Sequence, residues 1–89
     1  MINITERAKK ELKRLLLKKV EWSYARLRLI DRGQGDFGLG IDIEMPGDQV
    51  IEYQGISLLV VDHELAKKVK DITLDVEDTL GEPEFFIVT

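Results

Sequence analysis

The chain has 89 residues, of which 44% are hydrophobic and 34% charged, and a formal net charge of −4. That length gives one domain with a core but little stability to spare, and the composition excludes a disordered chain. With no cysteine present, a disulfide framework, a thiolate metal site, a thiol nucleophile and a cysteine-held cluster are all excluded.

The first residues run straight into charge, and the apolar run of residues 58–61, which no other exceeds, is far too short to span a bilayer. The chain therefore reads as cytoplasmic, with no membrane partner. Its charge is uneven: residues 1–32 carry ten Lys/Arg and four Asp/Glu, whereas residues 33–89 carry three and thirteen. A basic half suggests an anionic partner. No aromatic residues interleave with the cations as a stacking surface requires. The expectation is a helix with a solvated basic face on an acidic sheet, and no nucleic acid.

In chain order, Ile2 and Ile4 suit a short first strand, and Thr5 sits where a helix N-cap belongs. Ala8, Leu12, Leu15, Leu16 and Val20 recur at helical spacing, which predicts an amphipathic helix over residues 6–20 with Lys9, Lys10, Lys13 and Arg14 outside. Trp22 and Tyr24 are expected where this helix meets the sheet. Over residues 26–43, Leu27 and Leu29 alternate with Arg26 and Arg28, and Leu39, Ile41 and Ile43 alternate with Gly40 and Asp42. This predicts two strands, each with one apolar face. They are joined by a loop carrying Gly33, Gly35, Gly38 and Gly40. Such a loop is either a flexible or bulged hairpin or a place where a ligand or another chain comes close.

Residues 44–48, with Pro46-Gly47, form a turn. Residues 50–53 and 56–61 flank Gln54-Gly55 as a tight hairpin, and the second of these strands, apolar on both faces, should be the most buried. Asp62 is placed to cap a short helix over residues 63–70, with Leu65, Ala66 and Val69 inward. Ile72, Leu74 and Val76 alternate with polar residues as a further strand. Gly81-Glu82-Pro83 then breaks the chain before a last strand over residues 85–88.

Few residues suggest chemistry. His63, the only histidine, lies between Asp62 and Glu64, which point in different directions on a helix, so a solvated first turn is the better reading. Ser23 and Ser57 have no histidine partner in any catalytic pattern. Asp42 and Glu44 would share a strand face, with Asp36 and Asp48 approaching from loops, and such carboxylates suit a hard cation. Their spacing matches no calcium loop. The glycine-rich stretch is neither a P-loop nor a dinucleotide fingerprint.

Taken in order, several short segments resemble the HesB/IscA family, the A-type iron–sulfur carriers. They are Ile4-Thr5 before a helix with Ala8, the strand Leu27-Arg28-Leu29, Gly35-x-x-Gly38, Gly55-Ile56 leading to Val60-Val61-Asp62, and Leu74-Asp75. Phe37-Gly38-Leu39-Gly40-Ile41 and Leu80-Gly81-Glu82-Pro83-Glu84 are most similar to a cysteine-free branch of unknown function. The resemblance implies one HesB-like domain over residues 1–89. Its fold would be α+β and mostly β, a pseudobarrel or β-sandwich with an N-terminal amphipathic helix and one short second helix.

The same resemblance aligns the carriers' loop cysteine with Asp36 and their C-terminal Cys-x-Cys beyond Thr89. Cluster ligation needs soft thiolates, usually four, so carrier activity is not expected to follow the fold. The expectation is a non-enzymatic module without a cofactor, acting through protein contacts linked to iron–sulfur assembly. Gly33, Gly35, Asp36, Phe37 and Gly38 would form its interaction loop. The alternative is a metal-binding protein using Asp36, Asp42 and Glu44. Monomer and homodimer both remain open.

Overall fold

A computed structural model describes residues 2–19 and 24–88. Val20, Trp22 and Ser23, which figure in the sequence reading, lie outside the described residues.

The first strand, β1 (Asn3–Ile4), runs parallel to a later strand, and helix α1 (Glu6–Lys19) follows at once. Thr5 starts the helix: its Oγ1 accepts the Ala8 N–H at 3.2 Å, satisfying one of the first-turn donors that helix geometry leaves without a partner. Ala8 and Leu12 are fully buried and Leu16 nearly so, one residue per turn down a single face.

Four strands form the larger sheet: β2 (Ala25–Gly33), β3 (Asp36–Ile43), β4 (Gln49–Tyr53) and β5 (Ile56–Val61), in the order β3-β2-β5-β4. Helix α2 (His63–Lys68) then leads to β6 (Thr73–Thr79) and β7 (Glu82–Val88), which with β1 make a smaller sheet ordered β1-β6-β7. β2 and β5 pair in parallel, as do β1 and β6, while the other ladders are antiparallel. Three hairpins turn on two residues, Gln34-Gly35, Gln54-Gly55 and Leu80-Gly81, and all six residues have positive φ. Turns of that hand match the twist of the strands they join, and a glycine takes the second position in each.

β5 lies in the middle of the core. Leu58, Leu59, Val60 and Val61 have no exposed surface, as expected of a strand apolar on both faces. α1 packs mainly on β6, β5 and β2. Leu27 and Leu29 of β2, Ile51 of β4, Leu65 and Val69 beside α2, and Leu74 of β6 join the same apolar cluster.

The end of α1 nearest β6 is fixed by charge. Asp75 accepts from Thr5 Oγ1 at 2.7 Å and from Arg7 Nε and Nη2 at 2.7 Å each. These bonds, the Arg7 pair first, hold the Asp75 carboxyl far below its usual range, and the Val76 N–H adds to the effect.

Several sequence expectations need correcting. Tyr24 is 61% exposed rather than packed under the helix. α2 stops at Lys68, with Val69 as its C-cap. Pro83 does not break the chain. It sits inside β7 opposite Asp78, and the turn is confined to Leu80-Gly81. β7 is an edge strand, where a missing N–H need not interrupt a ladder.

Two outcomes follow. Leu59→Ala should cost about 2–5 kcal/mol in chemical or thermal melts, and a melt close to wild type would place β5 at the periphery. Asp75 has a lowered folded-state pKa, so its contribution is present above about pH 4, the unfolded value. That contribution is lost as pH falls toward the folded value. Asp75→Asn should therefore lower stability at neutral pH and flatten the acid slope of the melting temperature below about pH 4.

Candidate functional site

The β2–β3 hairpin is built on cross-strand pairs. Leu27 faces Ile41, Leu29 faces Leu39 and Asp31 faces Phe37, while Ile30 opposes Gly38 and Arg28 opposes Gly40. Near the tip the register slips by one residue between Asp31 and Gly33, and Asp31 Oδ1 accepts the Gly33 N–H at 2.8 Å. The expected glycine-rich loop is thus only a two-residue turn, with Gly38 and Gly40 inside β3.

Those two glycines make room for their neighbours on β2. A Cβ on Gly38 would stand 2.5 Å from the Arg32 guanidinium carbon, and one on Gly40 would stand 2.6 Å from Ile30 Cδ1. Longer side chains of β2 therefore lie flat across β3 on this face. On the opposite face Phe37 and Leu39 are half-buried. With Leu29, Leu74, Phe85 and Ile87 they line an open, mostly apolar cavity of about 190 Å³ between the two sheets.

Arg28 dominates the polar side of the hairpin. Its Nη1 and Nη2 donate to the two carboxylate oxygens of Asp48 at 3.1 and 2.5 Å, its Nε donates to Asp42 Oδ2 at 2.9 Å, and Nη2 also reaches the Ile43 carbonyl at 3.0 Å. The Asp48 side chain is 3% exposed, and its Oδ2 also accepts the Met45 N–H at 2.7 Å. The Arg28 bonds, aided by that N–H, hold the Asp48 carboxyl below the usual carboxylate range against the cost of its burial. A bidentate guanidinium–carboxylate pair fixes the turn after β3 to the middle of β2.

This network separates the candidate carboxylates. Asp42 and Asp48 are both occupied by Arg28. Asp36 stands exposed at the other end of β3, six residues from Asp42, or about 20 Å along an extended strand. Glu44 lies past the end of β3 and does not share a strand face with Asp42. Among the described residues no group of three or more His, Asp or Glu is placed to hold a metal ion. His63 is exposed at the start of α2, where Asp62 caps the helix by accepting the Glu64 N–H at 3.1 Å. Gly33, Gly35, Asp36, Phe37 and Gly38 lie together around the hairpin tip, and of these Phe37 and Gly38 line the cavity. Sequence reasoning missed Arg28 as a clamp and Phe85 and Ile87 as cavity walls. The available signal was the opposite charge on neighbouring antiparallel strands.

No family model and no curated protein matches the sequence. Solved structures do match in shape. A crystal structure of IscA with a [2Fe–2S] cluster superposes with a TM-score of 0.66 at 21% identity, over 99% of this chain and 84% of that one. Escherichia coli SufA, involved in the biosynthesis of iron–sulfur clusters, gives a TM-score of 0.66 at 19% identity, over 98% of this chain and 78% of its own. A protein from Aquifex aeolicus solved by NMR gives a TM-score of 0.69 at 24% identity, covering 99% and 90%. The chain has the HesB/IscA-like fold, and its 89 residues include no cysteine.

The hairpin reading sets the two kinds of glycine apart. Gly35→Ala should cost about 1–2 kcal/mol, because its φ of +78° is left-handed. Gly38→Ala meets only the end of a flexible arginine and should stay within about 0.5 kcal/mol of wild type. Equal costs in denaturant melts would contradict the placement of Gly38 inside β3.

Proposed function

We propose that this chain is a non-enzymatic accessory domain that uses the A-type carrier fold for protein contacts, linked to iron–sulfur cluster assembly in the cytoplasm, and carries no cluster itself. The observation supporting this is the match in shape to IscA and SufA over nearly the whole chain, combined with a sequence that has no thiol to offer. Cluster iron is held by cysteine thiolates or, in some centres, histidine. At Asp36, the position the resemblance aligns with the carriers' loop cysteine, the chain offers a hard carboxylate instead. Asp36 also stands apart from the other acidic candidates, so a substitute oxygen site is not assembled around it. Gly33, Gly35, Asp36, Phe37 and Gly38 would then serve as contact surface at the hairpin tip. Among the described residues no helix is long and apolar enough to cross a membrane, in keeping with a partner met in solution.

Anaerobic reconstitution with iron and sulfide tests the loss of chemistry. The wild-type protein should stay colourless after desalting and retain neither element stoichiometrically. Asp36→Cys alone should hold a cluster poorly. Combined with an appended C-terminal tail bearing Cys-x-Cys, it should give measurable iron and visible absorbance. A double variant no better than the tail alone would show that position 36 does not face the ligand site. Direct binding to purified iron–sulfur assembly factors tests the other half, and loss of all such binding in titrations would remove the assembly link.

A further inference from the structure

The two sheets do not close on each other at one flank. β3 ends the larger sheet and β7 ends the smaller one, and the cavity lined by Leu29, Phe37, Leu39, Leu74, Phe85 and Ile87 opens between them. The two edges differ in kind. β7 carries Pro83, flanked by Glu82 and Glu84, devices that discourage a further strand from pairing. β3 has no proline and no lysine. Its cavity-side face reads Phe37, Leu39, Ile41, Ile43, with Ile41 53% and Ile43 44% exposed. Ile43 is tied back at the far end, its N–H donating to Asp42 Oδ1 and its carbonyl accepting from Arg28 Nη2. The stretch from Phe37 to Ile41, beside the apolar slot, suits an added strand, whose backbone supplies the ladder and whose alternate side chains fill pockets.

The surrounding charge selects the occupant. No Lys or Arg occurs between residues 33 and 66. Arg28 occupies Asp42, and Arg32 lies over Gly38 on the face away from the cavity. Asp36 and Glu44 stand exposed at the two ends of β3.

We infer that the β3 edge binds an extended segment of a partner protein, alternating apolar residues with Lys or Arg, as an added strand with one apolar side chain in the cavity. A space of about 190 Å³ accepts one aromatic or branched aliphatic side chain, since a cavity of about 150 Å³ holds a benzene. The basic residues of the segment meet the acidic ends of β3. This inference names the partner chemistry for the contact role proposed above and rests on that reading.

The test uses the full chain as bait for a phage-displayed library of random ten-residue peptides. A synthetic peptide of the winning pattern is then compared with a copy in which Glu replaces each Lys or Arg. Winners should alternate apolar with basic residues. The basic peptide should slow hydrogen exchange of β3 amides, shift the Phe37, Leu39, Phe85 and Ile87 resonances, and weaken with added salt. Ile41→Glu, at an exposed position, and the pair Asp36→Lys with Glu44→Lys should each reduce affinity at least tenfold. Lys10→Glu on α1 should leave it unchanged, with melting curves confirming that all variants fold. Selection of no peptide, equal binding of the acidic copy, or a footprint away from β3 would overturn the inference. So would a concentration-dependent dimer that protects β3, which would make the occupant a second copy. An assembly factor whose footprint lies on another face would overturn this inference and leave the accessory role standing. A basic peptide on β3 with no assembly factor bound would do the reverse.

Discussion

The larger sheet is registered against β5. Four consecutive residues, Leu58 to Val61, have no exposed surface, so both faces of the strand are covered while both edges are bonded. Burying each such side chain is worth about 1.5–3 kcal/mol, which together rivals the whole net stability of a small domain. Because β5 is held so firmly, its neighbours inherit its register: Leu27 is set opposite Leu59 on one side and Ile51 opposite Leu59 on the other. β2 in turn fixes β3, and through β3 the hairpin tip, Asp36 and the mouth of the cavity. A one-residue slip anywhere in this chain of pairings would turn apolar faces outward.

Patterns tied to burial were legible in the sequence. The alternation in β2, the double apolar face of β5 and the helical spacing of Ala8, Leu12 and Leu16 each report which side of an element meets the core, and the structure follows them. What local pattern does not carry is which strand lies beside which. The parallel pairing of β2 with β5 and of β1 with β6 joins segments far apart in the chain, and only the resemblance to the carriers implied the architecture. Glycine misled for a specific reason. It has no side chain to display a period, so Gly38 and Gly40 looked like loop although they pair within β3, beneath Arg32 and Ile30. Pro83 misled similarly, since its effect depends on whether its strand is an edge. Tyr24, expected where the helix meets the sheet, is exposed, and nothing local to it signals this.

The acidic residues teach a related lesson. Asp42 and Asp48 were reasonable cation ligands while only their own neighbourhoods were visible. Across the sheet, Arg28 pairs with both, so each already has a cation of the protein itself beside it. A carboxylate is a ligand only if its charge is not already balanced, and that balance is a property of strand pairing rather than of spacing. Asp36 escaped the network because it begins its strand beyond the reach of Arg28.

The same geometry explains why the open flank lies where it does. Strands in a sheet rotate progressively with respect to one another, so two packed sheets diverge most at their edges. Here α1 takes β6, β5 and β2 as its principal supports, and β3 and β7, at the edges of separate sheets, share no ladder. Closing that gap from within would need larger residues at Leu39 or Ile87, and these would have to pack without the backbone bonds that hold the other strands together. A separate strand supplies both the bonds and the volume. The fold is thus complete as a core and incomplete as a surface at one edge, with acid at both ends of β3.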